Sequence, residues 1–270
     1  MNDQFFSLTE NAKTRAGRIR KTAKERLGRE GVRMTLCVGV LICIFVYILG
    51  LLATDMLASM FLADYYNSED VFVSGMMQTI PFLFAVLFAV PFFEGYRRMT
   101  ASIADGKDPD LRLLFSAFSS FRSFFGAYFI AFCAIVRPVV AVGFVAGSCG
   151  IVAWMFHTFL DMEPGALIMM GTVVLTSAAA AGWLYLTRFG GVRAYVISVR
   201  SASIGTSFRI TKRVKKKQGV LSGTIRLYAG YIPLILLSFL TLGVLFFIHT
   251  IPLISLAAAY NSEDLISEKY

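Results

Sequence analysis

The chain has 270 residues, of which 57% are apolar and 16% charged, and its formal net charge is +9. Soluble globular domains carry about 25% charged and about 45–50% apolar residues. A mean hydropathy of +0.68, long charge-free runs, and 25 Phe against two His and two Trp exclude a soluble fold and describe an integral membrane protein.

A helix that crosses about 30 Å of hydrocarbon at about 1.5 Å per residue needs about 20 apolar residues. Residues 1–33 are a basic amphipathic segment, with Ala16, Ile19, Ala23 and Leu27 opposite its cations. Six spans are predicted to follow, as three hairpins, at about 34–53, 71–93, 124–148, 166–187, 220–240 and 244–260. The first is charge-free, and with its long basic leader it reads as a retained helix and not as a signal peptide. The second is interrupted only by Gln78, Pro81 and Pro91, and the third contains one charge, Arg137. The last two share a block from Gly219 to Tyr260 that is too long for one span, so a tight turn is placed at Thr241-Leu242-Gly243. Residues 261–270 are read as a short tail. The fold class is all-α: six transmembrane helices within 34–260, plus amphipathic helices at the membrane interface.

Those interfacial helices precede the hairpins. Besides 13–29, apolar residues at 111, 114, 115, 118, 121 and 125 form one helical stripe beside Arg112 and Arg122. Between Ser203 and Lys217, Ile204, Phe208 and Val214 share a segment with Arg209, Lys212, Arg213, Lys215, Lys216 and Lys217. Each is expected to lay its apolar face in the acyl boundary and its bases among headgroups. Gly106-Lys107-Asp108-Pro109 reads as a turn.

Charge sets the orientation. Lys and Arg number nine in 1–33, five in 94–123 and ten in 188–226, but none in 54–70, 161–165 or 241–243. The alternation is that of the positive-inside rule and predicts both termini in the cytoplasm of a bacterial plasma-membrane protein. It also accounts for the net charge without nucleic acid. The partners expected are the bilayer, its anionic phospholipids at Lys212, Arg213, Lys215, Lys216 and Lys217, and a further membrane protein.

Motifs for chemistry are few. His157 and His249 stand alone in apolar runs and read as packing residues, so no metal site is expected. Cys37, Cys43, Cys133 and Cys149 lie within spans without a CxxC and read as small apolar residues. No Walker loop, G-x-S-x-G or paired intramembrane carboxylates occur, so neither enzyme activity nor a cofactor is expected. Gly143 with Gly147, and Ala178 with Gly182, make small-xxx-small faces for helix packing. Arg137, next to Pro138, is a candidate intramembrane charge, with Asp55 as its preferred carboxylate. Glu94, followed by Arg97 and Arg98, reads as an ion pair at interface level. Tyr66-Asn67-Ser68-Glu69-Asp70 and Tyr260-Asn261-Ser262-Glu263-Asp264 match in sequence, but fall on opposite sides of the membrane in this topology and read as coincidence.

Several features together resemble one family. They are Pro91 with Gly95-Tyr96, then Gly106 and Pro109 leading to Leu114-Phe115-Ser116-Ala117-Phe118. The Ser203–Ser207 segment with its basic follow-on comes next, then Thr241-Leu242-Gly243, Pro252 and Ala257-Ala258-Ala259-Tyr260. In this order they resemble the bacterial integral membrane proteins grouped as domain of unknown function 975, over most of the chain after about residue 90 and its basic start. The resemblance implies the same polytopic architecture and lends no catalytic residue, cofactor or substrate. The function expected is that of a non-enzymatic scaffold or accessory subunit in an envelope process. The alternative is a small transporter or permeation protein for an anionic or peptide solute, with Arg137 at its site.

Overall fold

The computed structural model describes residues 12–29, 31–63, 71–134, 140, 155, 172, 176, 177, 180, 182–186, 189–200, 203–216, 219–241 and 243–267. Among them the regular structure is helical throughout, without a strand. Two stretches are long and apolar enough to cross a membrane, Val32–Phe61 and Val220–Ser238. A third arises if the bent pair Leu111–Phe118 and Phe121–Ala134, which meet at 97°, is counted as one span. Much of the expected spans 124–148 and 166–187 lies outside the described residues.

In chain order the elements are α1 (Ala12–Leu27), α2 (Val32–Phe61), α3 (Val71–Ala104), a 3-10 helix (Leu111–Phe118) and α4 (Phe121–Ala134). They continue with α5 (Gly190–Ser198), α6 (Ile204–Lys216), α7 (Val220–Ala229), α8 (Ile232–Leu240), a π-helical turn (Phe246–Thr250) and α9 (Ile251–Ser267). Residues 1–43, 91–134 and 186–270 make one compact unit, and 44–90 with 135–185 make a second.

In the first unit, α1 packs along α7 and α9. Ala16, Ile19, Ala23 and Leu27 are each 5% exposed or less, so the apolar face expected to enter lipid is covered by protein. α6 behaves alike: Ser207, Thr211 and Val214 are buried, and Val214 joins a core of Phe189, Val192, Val196, Val220 and Leu265. Only the 111–125 stripe keeps most of its apolar face outward. Leu114 and Ala117 turn inward, whereas Phe115, Phe118, Phe121 and Phe125 are exposed.

Several element ends follow from local chemistry. α3 runs beyond the expected end at Phe93 because Glu94 pairs with Arg97 and Arg98 at i+3 and i+4. It stops where Gly106 adopts φ 90°. There the Gly106 N–H donates to Ile103 O at 3.1 Å and the Lys107 N–H to Ser102 O at 3.1 Å, a Schellman cap that a β-carbon would disfavour. Asp110 caps the 3-10 helix by accepting the Arg112 N–H at 2.8 Å. Between α8 and the π-helical turn, the Gly243 N–H bonds to Ser238 O at 2.9 Å, which places a tight turn where the sequence predicts one. Pro252 has no N–H for the Ile248 carbonyl one turn earlier, and the Cys37 thiol donates to that oxygen at 2.9 Å.

The last helix departs most from expectation. α9 continues through the supposed tail to Ser267, and Asn261, Ser262, Asp264 and Leu265 are buried in it. The expected 220–240 span corresponds to the stretch Val220–Ser238, within which α7 and α8 meet at Gly230-Tyr231.

In the second unit, Gly50 on α2 faces Phe88 and Ala85 on α3, and the Thr54 hydroxyl donates to Gly50 O at 2.7 Å and to Pro81 O at 3.2 Å.

Candidate functional site

Three charge centres in the first unit organise its basic segments. The first joins α1 to α9. Arg15 Nε donates to Asp264 Oδ2 at 2.5 Å and its Nη2 to Asn261 Oδ1 at 3.0 Å. Arg18 approaches Asp264 Oδ1 at 3.5 Å. Asn261 and Asp264 stand three residues apart on one helical face, so both reach the same guanidinium. Farther along α1, the Arg26 guanidinium donates to Ile103 O at 3.1 Å and Lys107 O at 2.7 Å, clasping the end of α3.

The second centre is Glu94, whose side chain is 5% exposed. It pairs with Arg97 and with Arg98, at 3.1 Å for the latter, and accepts the Ser198 hydroxyl of α5. Arg98 also donates to Ser198 Oγ at 3.3 Å and to Ser116 Oγ at 3.4 Å. Glu94 is therefore an ion-pair centre, as its spacing to Arg97 and Arg98 predicts. Partial burial draws the Arg98 guanidinium below its ordinary range. Gly95 allows the approach, because a β-carbon there would collide with the Leu114 carbonyl.

The third centre is Glu263, which accepts the Tyr195 hydroxyl at 2.7 Å and pairs with Arg200. Burial, then the bond to Glu263, holds the Tyr195 phenol above its ordinary range. Partial desolvation and the Glu263 charge raise the Asp105 carboxyl, and Arg200 and Lys107 partly offset this. Arg193, 1% exposed, donates to Cys133 O at 2.8 Å, and its guanidinium lies 4.5 Å from the Phe208 ring centroid, a cation–π contact.

Around these centres the cations Arg209, Lys212, Arg213, Lys215 and Lys216 on α6 are exposed. The proposed lipid contacts thus share one outward face, while Lys217 lies outside the described residues. Arg137 also lies outside them, as do Gly143, Gly147 and Ala178. Asp55 is an exposed residue of α2, and Gly182 is exposed, with open space where its β-carbon would be.

Sequence reasoning missed Arg193 and the 261–264 cluster. Small polar residues at i and i+3 inside an apolar helix, opposite an Arg-rich amphipathic segment, were the available signal for the second. Among the described residues, no group of three or more His, Cys, Asp or Glu could hold a metal ion. No family model matches the chain, and no curated protein or solved structure matches it significantly.

Proposed function

We propose that the protein is a non-enzymatic polytopic membrane scaffold whose basic segments form one locked module on the cytoplasmic side. One observation carries this reading: the charged side chains of the first unit's interior bind helices to one another. Arg15, Arg26, Glu94, Asp264 and Glu263 tie α1, α3, α5 and α9 together. Arg15–Asp264 is a buried ion pair and the other ties are hydrogen bonds to or from charged side chains, contacts that fix an arrangement of helices without adding much net stability. The cationic face of α6 is left outward, suited to anionic headgroups or an acidic partner.

The positive-inside distribution supports the orientation, since segments 1–33, 94–123 and 188–226 hold nearly all the cations and the three centres gather residues from each. The helices long and apolar enough to cross a membrane support the location. Affinity purification in mild detergent tests the function. A stoichiometric membrane partner is expected, retained by wild type and weakened when Lys212, Arg213, Lys215 and Lys216 are changed to Gln. A monodisperse chain without a partner that moves an anionic solute across proteoliposomes would replace the scaffold with the transporter reading.

A further inference from the structure

Where the chain turns 97° between the 3-10 helix and α4, the aromatic residues do not fold inward. Phe125, Phe129 and Phe132 are 52%, 49% and 59% exposed. With Gly126 and Tyr128 they line an open groove of about 580 Å³. Tilted and edge-on ring contacts run along the start of the helix, through Phe121–Phe125 at 4.5 Å, Phe124–Phe125 at 5.5 Å and Phe124–Tyr128 at 5.3 Å between centroids. A helix places residues i, i+3, i+4, i+7 and i+10 on one face, and that face here reads Arg122, Phe125, Gly126, Phe129, Phe132. The polar end and the apolar groove therefore form one stripe about 15 Å long, from ten residues at about 1.5 Å each.

Gly126 leaves the groove open. A β-carbon there would meet nothing within 4 Å, so the glycine is not demanded by neighbouring protein as Gly95 is. Glycine within a helix costs roughly 0.5–1 kcal/mol relative to alanine, and here it leaves open surface beside Phe125 and Phe129. Arg122 is exposed, and no carboxylate among the described residues pairs with it. Arg112 lies across the same bend and is also exposed.

We propose that this stripe binds a single anionic phospholipid, with its phosphate at the Arg122 guanidinium and one acyl chain along the open groove at Gly126. Charge complementarity and a shaped apolar groove together distinguish such a site from the general lipid layer, which needs neither. The inference goes beyond the scaffold reading and rests on its membrane placement alone.

The test is native mass spectrometry of the full chain in detergent, with phosphatidylglycerol or phosphatidylcholine of the same acyl chains added. Wild type should retain one phosphatidylglycerol about tenfold more than phosphatidylcholine, the factor for one charge-assisted contact. Arg122→Gln should abolish that preference, whereas Lys21→Gln, which removes the same charge from α1, should keep it. Gly126→Leu should lose the adduct of either lipid. Circular dichroism identifies a misfolded Gly126→Leu, and in that event Phe129→Asp, which puts a charge in the groove, takes its place. Equal retention of the two lipids by wild type, or an unchanged adduct in a folded groove variant, would overturn the site. Failure of the membrane placement shows separately, as a chain that stays in solution when detergent is withdrawn.

Discussion

Arg15 and Asp264, 249 positions apart, meet at 2.5 Å with side chains only 9% and 5% exposed. The pair joins the basic start of the chain to a helix that the sequence suggests has already ended. Removing one partner from a buried pair leaves an uncompensated charge and costs about 3–5 kcal/mol, whereas replacing both by apolar groups is often close to neutral. Arg15→Met and Asp264→Leu should each lower the thermal unfolding temperature in detergent, and the double variant should recover most of the loss. Additive losses would mean that the two residues act separately.

Gly95 and Gly126 make opposite predictions for the same change. A methyl at Gly95 must displace the Leu114 backbone, an overpacking that costs about 1–3 kcal/mol or more. At Gly126 space is open, and alanine should add roughly 0.5–1 kcal/mol through helix propensity. Thermal unfolding of Gly95→Ala and Gly126→Ala should therefore shift in opposite directions.

Asp105 supplies a pH dependence. Asp105 is exposed, but partial desolvation and the nearby Glu263 charge raise its carboxyl, against Arg200 and Lys107, so ionisation is harder in the folded chain than in the unfolded one. The contribution of this group to stability is fully present at acid pH, while it is protonated, and is lost as pH rises through the raised value. Asp105→Asn should stabilise the protein slightly at neutral pH, by about 0.5 kcal/mol as for other exposed positions. The gain should vanish near the ordinary carboxylate range of about pH 4. A variant that destabilises at neutral pH would reverse the sign.

The exposed cations of α6 should attract anionic lipid by charge alone, since their helix has its apolar side in protein. Near a membrane surface each is worth about 1 kcal/mol. Full-length protein with Lys212, Arg213, Lys215 and Lys216 changed to Gln should co-purify with less phosphatidylglycerol than wild type at low salt. The difference should close at 1 M salt, where the Debye length is about 3 Å. A difference that survives high salt would point to insertion of apolar side chains instead.

Local rules were legible in the sequence and long-range pairing was not. The tight turn at Gly243, the Gly106 cap and the Glu94–Arg97–Arg98 pairs all follow from neighbours within a few positions. The amphipathic periodicity of α1 and α6 was also readable, but periodicity says that a face is covered and not by what. Protein covers Ile19 and Val214, where lipid was the expectation. By sequence Asn261 and Asp264 read as a tail, because polar residues after an apolar run end a span in hydropathy terms. Their partner, Arg15, stands at the other end of the chain, where no local pattern points to it.

The central claim is that the basic segments gathered by these charged contacts lie on one side of a membrane, in the cytoplasm. Thiol labelling in intact cells tests it most directly, in a background with Cys37, Cys43, Cys133 and Cys149 replaced by Ala. Lys107 and Lys216, both exposed, are suitable inner sites, and Asn67 and Gly165 stand in the acidic loops predicted outside. An impermeant maleimide should label Asn67→Cys and Gly165→Cys in whole cells, and Lys107→Cys and Lys216→Cys only after lysis. Labelling of the Lys107 and Lys216 variants in unbroken cells would contradict the account.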